Sequence, residues 1–174
     1  MTRRKSAGQC VTRRTLALSL LIVGIACLFP PRVGWTASPS NDFDQYLQTG
    51  QALFHQGKID AAIAEFKAAV AAQPDSSIAH LWLGRALGRK IEKAGPLKAV
   101  LMIGDVRREF EQAVALDLNN VEARSDLLEF YLGAPRSFGG GIDKAEVQAD
   151  AIAKLDPAMG QHARALIDEK IKQE

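Results

Sequence analysis

Histidine is the side chain best placed to move a proton or hold a metal near neutral pH, and this chain has three: His55, His80 and His162. None stands three or four residues from another histidine or a cysteine, the spacing that sets two metal ligands on one helical face. Nor does any share a helical face with a paired carboxylate, and no Ser-His-Asp arrangement emerges from the spacing. Ser137-Phe138-Gly139-Gly140-Gly141-Ile142-Asp143-Lys144 carries glycines and a lysine that invite comparison with a phosphate-binding loop. That loop requires Gly-Lys followed by Ser or Thr, whereas Asp143 separates Gly141 from Lys144 and Ala145 follows; no strand precedes it. The segment therefore reads as a flexible connection between helices. Both cysteines, Cys10 and Cys27, lie near the start of the chain, so later residues have no thiolate for nucleophilic attack, metal binding or a disulfide. No catalytic, cofactor-binding or metal-ligating residue is expected, and an enzyme of unrecognised type is a distant alternative.

Charge removes another class. Six of the 22 basic residues (Arg3, Arg4, Lys5, Arg13, Arg14 and Arg32) fall within residues 1–37, which contain no acid, leaving 16 basic against 20 acidic residues beyond, a net charge of −4. The overall positive charge is thus no argument for nucleic-acid binding. Behind the basic start runs Leu16 to Phe29, an apolar stretch of 14 residues stopped by Pro30-Pro31. A spanning helix needs roughly 20 residues, so the order of basic, apolar and small-residue regions resembles a signal peptide. Cleavage is expected near Ala37 or Ser38, which places the protein in the periplasm or outside the cell. The alternative is an uncleaved anchor in the inner membrane, because Trp35 is a poor residue so close to the cut. Membrane contact is expected only through this segment. Thr12-Arg13-Arg14-Thr15-Leu16 partly matches a twin-arginine export signal, and Gly24-Ile25-Ala26-Cys27 partly matches a lipoprotein cleavage box; an ordinary basic region and a chance cysteine explain them as well.

The elements that would position any site follow from periodicity. Residues 38–41 read as a linker, and helical patterning begins at Asp42. Tyr46 and His80 lie 34 residues apart, as do Gly50 and Gly84, and Leu53 and Leu87. Ala62, Phe66, Ala69 and Pro74 complete the first unit. Small Gly50 and Ala62 let two helices approach to roughly 8–10 Å, and Phe66 fills the space between them. Gly57 suits a helix end, Pro74 stops the second helix, and Asp75, Ser76 and Ser77 offer the next cap. The second unit starts on time, but Phe110 and Ala113 follow Phe66 and Ala69 by 44 residues, so it carries ten extra residues. Gly95-Pro96 marks their start, and the second helix should run about two turns longer than its counterpart. The third unit has Leu127, Tyr131, Ala145 and Pro157, with Leu128 where glycine is usual and Ala149 where phenylalanine is usual. Asp143 and Glu146 have the spacing of a capping box.

These residues resemble the tetratricopeptide repeat (TPR), whose 34-residue unit runs Trp-x-x-Leu-Gly-x-x-Tyr, then Ala-x-x-x-Phe, then Pro. The resemblance implies an all-α fold of helix-turn-helix repeats at about 42–75, 76–119 and 120–158. These stack as a short right-handed solenoid over 42–174, closed by a capping helix at 159–172. It also implies a scaffold that binds a protein or peptide partner along the groove of first helices. Leu47, Gln51 and His55, then Leu81, Arg85 and Arg89, then Ser125 and Glu129 are expected toward that groove, with His80 packed in the core. Chaperone-binding relatives hold a C-terminal carboxylate with a Lys/Asn/Arg clamp. Leu47, Gln51, Trp82, Glu122 and Asp126 occupy the clamp positions here, so that specificity is not carried over.

Two surface features complete the reading. Arg85, Arg89, Lys90, Lys93 and Lys98 face only Glu92 in sequence, either a solvated helix end or a site for an acidic segment. Val100, Leu101, Met102 and Ile103 sweep about 300° of a helix at about 100° per residue, so one packed face cannot bury all four. Either other parts of the chain cover them, or they form a docking patch.

Overall fold

The computed structural model describes residues 39–173, with side chains from Asp42 onward. The expected signal segment, both cysteines and Trp35 lie outside the described residues. Seven α-helices and one short 3-10 turn make up the described chain: α1 Pro39–His55, α2 Ile59–Ala72, α3 Ser77–Glu92, α4 Pro96–Leu116, α5 Val121–Gly133, α6 Ile142–Leu155 and α7 Pro157–Gln173. Each packs on its neighbour, and α1, α3, α5 and α7 also touch in series. That is the contact pattern of stacked helical hairpins, a TPR-like solenoid in which each unit buries the apolar face of the next. The first helix starts at Pro39, so residues 39–41 are helical rather than linker. The last helix begins at Pro157, where a proline costs no helical hydrogen bond.

Helix boundaries obey local chemistry. Gly57 turns the chain between α1 and α2 at φ 74°, a left-handed conformation that side chains disfavour. The Ser76 hydroxyl accepts from the Ala79 amide and the Asn120 side chain from the Ala123 amide, capping α3 and α5. The expected capping box at Asp143 and Glu146 does not form: α6 is capped two residues earlier, at Gly141, with no side-chain cap, leaving Asp143 inside the first turn. At the start of α4, Pro96 takes the first helical position.

One contact recurs between helices. A Cβ added at Gly50 would sit 2.6 Å from the Phe66 ring, and one at Gly84 would sit 2.7 Å from the Phe110 ring. The ten extra residues of the second unit leave this contact intact because they enter on the far side of it. Seven of them lengthen α4 to 21 residues, against 14 for α2, and the other three extend α3 past Gly84. In the third unit Leu128 and Ala149 hold the two positions, both buried; large and small have changed places, which conserves volume.

Polar bonds tie the units together. The Ser77 hydroxyl donates to the Ala113 carbonyl (2.7 Å) and accepts from the Asn120 amide (3.0 Å), joining the start of α3, the end of α4 and the start of α5. His80, buried as expected, has Nδ1 2.7 Å from a Glu109 carboxylate oxygen and Nε2 3.1 Å from the Pro74 carbonyl. The pair pins α4 to the start of α3.

Candidate functional site

The first helices α1, α3 and α5 border a cleft of about 320 Å³ that reaches down to α4. Phe54, Val106, Phe110 and Phe130 supply its apolar lining, and Arg85, Arg89, Glu92, Asp126 and Glu129 its polar lining. Trp82 stands at the α1 side. Its ring stacks on buried Phe66 at 5.8 Å and meets Phe54 and His55 edge-on at 5.6 and 5.9 Å.

Arg85 is committed within the protein. Its guanidinium donates to Asp126 at 2.5 Å and to Glu122 at 3.3 Å, and lies 5.0 Å from the Trp82 ring. Burial opposes the charge on Arg85, but hydrogen bonds to Asp126 and attraction to both acids outweigh it and raise its pKa. Burial pushes the Asp126 carboxyl above its ordinary value, against the pull of Arg85. The bridge therefore fixes α3 against α5 while giving back much of its Coulombic gain as desolvation. Arg89 bonds Glu92 at 2.8 Å, and Lys90 bonds Asp60 at 2.6 Å. The basic stretch is thus no bank of free cations: three of its five members are paired. Across α5, burial and Glu111 push the Tyr131 hydroxyl up to about 12, so it stays protonated and donates to Glu111 at 3.1 Å.

The expected groove residues divide. Arg85, Arg89 and Glu129 line the cleft, and exposed His55 stands beside it. Gln51 is half-buried, and Leu47 packs against the core instead. Leu81 is fully buried, contrary to its expected exposure, because it faces into the stack with Leu83 and Ala86. Half-buried Ser125 spends its hydroxyl on the Val121 carbonyl and lines a separate space of about 90 Å³ with Met159, His162 and Leu166. Of the apolar run, Val100 and Leu101 are exposed, while Met102 and Ile103 are half-buried, Met102 against the core. Turn-counting missed Phe54 and Phe130, each next in sequence to an expected residue, and the role of Asp126. The available signal was opposite charge at Arg85 and Asp126, facing positions on consecutive first helices.

Comparison with known proteins agrees with this geometry. A family model described as TPR repeat matches residues 50–90, and no curated protein matches in sequence. Among solved structures, the second TPR domain of human RPAP3, in complex with the HSP70 peptide SGPTIEEVD, superposes with a TM-score of 0.59 at 17% identity, covering 75% of this chain and 98% of that one. The first TPR of Spaghetti (RPAP3), bound to the HSP90 peptide SRMEEVD, gives 0.60 at 18%, covering 76% and 95%. The Arabidopsis OM64 TPR domain gives 0.61 at 11%, covering 75% and 98%. At such identities the likeness concerns the fold.

Proposed function

We propose that this chain, a tetratricopeptide-repeat protein, is an exported scaffold that holds a segment of a partner protein in the cleft between its first helices. The observation that carries the reading is the cleft itself, where four large apolar side chains sit beside a fixed ion pair. Such a site can bury apolar groups of a ligand and orient it by a few polar contacts. The peptides bound by the RPAP3 and Spaghetti domains support this use of the fold. Their acidic character is not expected to transfer, since Glu122, Asp126 and Glu129 all lie on α5 and both nearby arginines are neutralised within the chain. The peptide SRMEEVD should show no saturable binding up to about 1 mM, a threshold near −4 kcal/mol. Micromolar binding in calorimetry would overturn the specificity assigned here.

A photo-crosslinking residue at Glu129 or Gln51 should capture a partner in envelope extract, whereas one at exposed Lys67 on α2 should not. Capture at Lys67 alone would refute the groove. The export half of the proposal rests on residues 1–37. Mature protein should begin between Thr36 and Pro39 and fractionate with the periplasm; intact mass retaining the apolar run in membranes would establish the tethered form instead.

A further inference from the structure

The turn between α3 and α4 joins two features that the groove does not use. Leu97 is 77% exposed, Leu101 75% and Val100 46%. At about 100° per residue these three fall within about 100° of one another on α4, a contiguous apolar stripe on its first turns. Lys93 and Lys98 flank it, both exposed and with no carboxylate partner among the described residues. Glu92 is engaged by Arg89, Asp60 by Lys90, and Asp105 by Arg108. Arg89, Lys90, Lys93 and Lys98 against Asp60 and Glu92 leave two positive charges, at the edge of a domain that is otherwise net acidic.

We propose that this tip is a docking site for an anionic phospholipid surface, with Leu97, Val100 and Leu101 entering the interface and Lys93 and Lys98 meeting headgroups. Apolar side chains flanked by lysines are the chemistry of interfacial binding, in which burial and attraction to anionic lipid add. A second copy fits less well, because it would bring the same unpaired lysines together. An acidic protein segment also fits less well: residues 93–101 line neither cleft described above, so the leucines project with no concavity to enclose a chain. The site is independent of the groove.

The full-length chain carrying Leu101→Trp tests this in vesicles of phosphatidylcholine with about one third phosphatidylglycerol, some chains brominated. Leu101 is exposed, so the change should leave circular dichroism unaltered. Tryptophan quenching should exceed that of the wild type, whose Trp35 and Trp82 set the background. It should vanish in pure phosphatidylcholine and weaken in high salt. Neutralising both lysines, Lys93→Gln with Lys98→Gln, removes an attraction of about fivefold per charge and should reduce the quenching. No quenching beyond wild type in anionic vesicles, however firmly the chain sediments with them, would overturn the proposal. So would saturable binding of a polyglutamate peptide that needs Lys93 and Lys98 while the new tryptophan stays unquenched, which would assign the tip to an acidic protein.

Discussion

Replacing Phe66 with alanine should cost about 3–5 kcal/mol of stability, a large share of the roughly 5–15 kcal/mol available to a domain. Phe66 is fully buried, stacks on Trp82 and fills the space that Gly50 leaves open. The neighbouring backbones cannot close over the void, since α1 and α2 already meet at glycine. Trp82 also borders the cleft through Phe54, so partner capture should weaken along with the fold. Thermal melts should fall by more than about 10 °C, at roughly 4 °C per kcal/mol for a domain of this size. A fall of only a degree or two would show that Phe66 is not the centre of the first unit.

The same substitution should have opposite signs at two glycines one helical turn apart. Gly84→Ala places a methyl group 2.7 Å from the Phe110 ring. It gains about 1 kcal/mol of helix propensity, but displacing a packed ring costs about 1–3 kcal/mol. A Cβ at Gly88 meets nothing within 4 Å, so Gly88→Ala keeps the propensity and should stabilise by up to about 1 kcal/mol. Pairing Gly84→Ala with Phe110→Leu should recover part of the loss, a coupling that a double-mutant cycle measures. Equal effects at the two positions, read from urea denaturation, would contradict the contact. Because Gly88 lines the cleft, its alanine variant also reports whether a ligand approaches the α3 backbone: stability would rise while capture falls.

Much of this architecture was legible in sequence because small and large residues must alternate where helices touch. The 34-residue spacing of Gly50 and Gly84, and the 44-residue spacing of Phe66 and Phe110, are two records of one contact, and α4 is about two turns longer, as that difference implies. The site was less legible. Turn-counting treats a helix as an isolated cylinder, so it could not tell that Leu81 faces the stack while its neighbour Trp82 borders the groove. Charges counted along the chain took Arg85 and Lys90 as available, but their partners Asp126 and Asp60 lie on other helices. The His80–Glu109 pair was hidden by the insertion, which obscured the register of α4 against α3. The N-cap of α6 was misread because glycine can start a helix without any side chain to announce it.

The hydrogen bonds through Ser77 bear on the order in which the molecule comes apart. A stack of repeats can ordinarily lose units from either end, each opening with its own free energy. Here the amide of Asn120 that reaches Ser77 belongs to the same side chain that caps α5, so loosening α3 or the end of α4 also disturbs the first turn of α5. The Arg85–Asp126 bridge adds a second clasp between the same helices. Hydrogen exchange should therefore show the amides of α3 and the first turn of α5 opening together, with α7 and the start of α1 exchanging earlier and separately. An unfoldase pulling from the C-terminus would strip α7 and α6 first and then stall, facing residues 77–133 as one mechanical block.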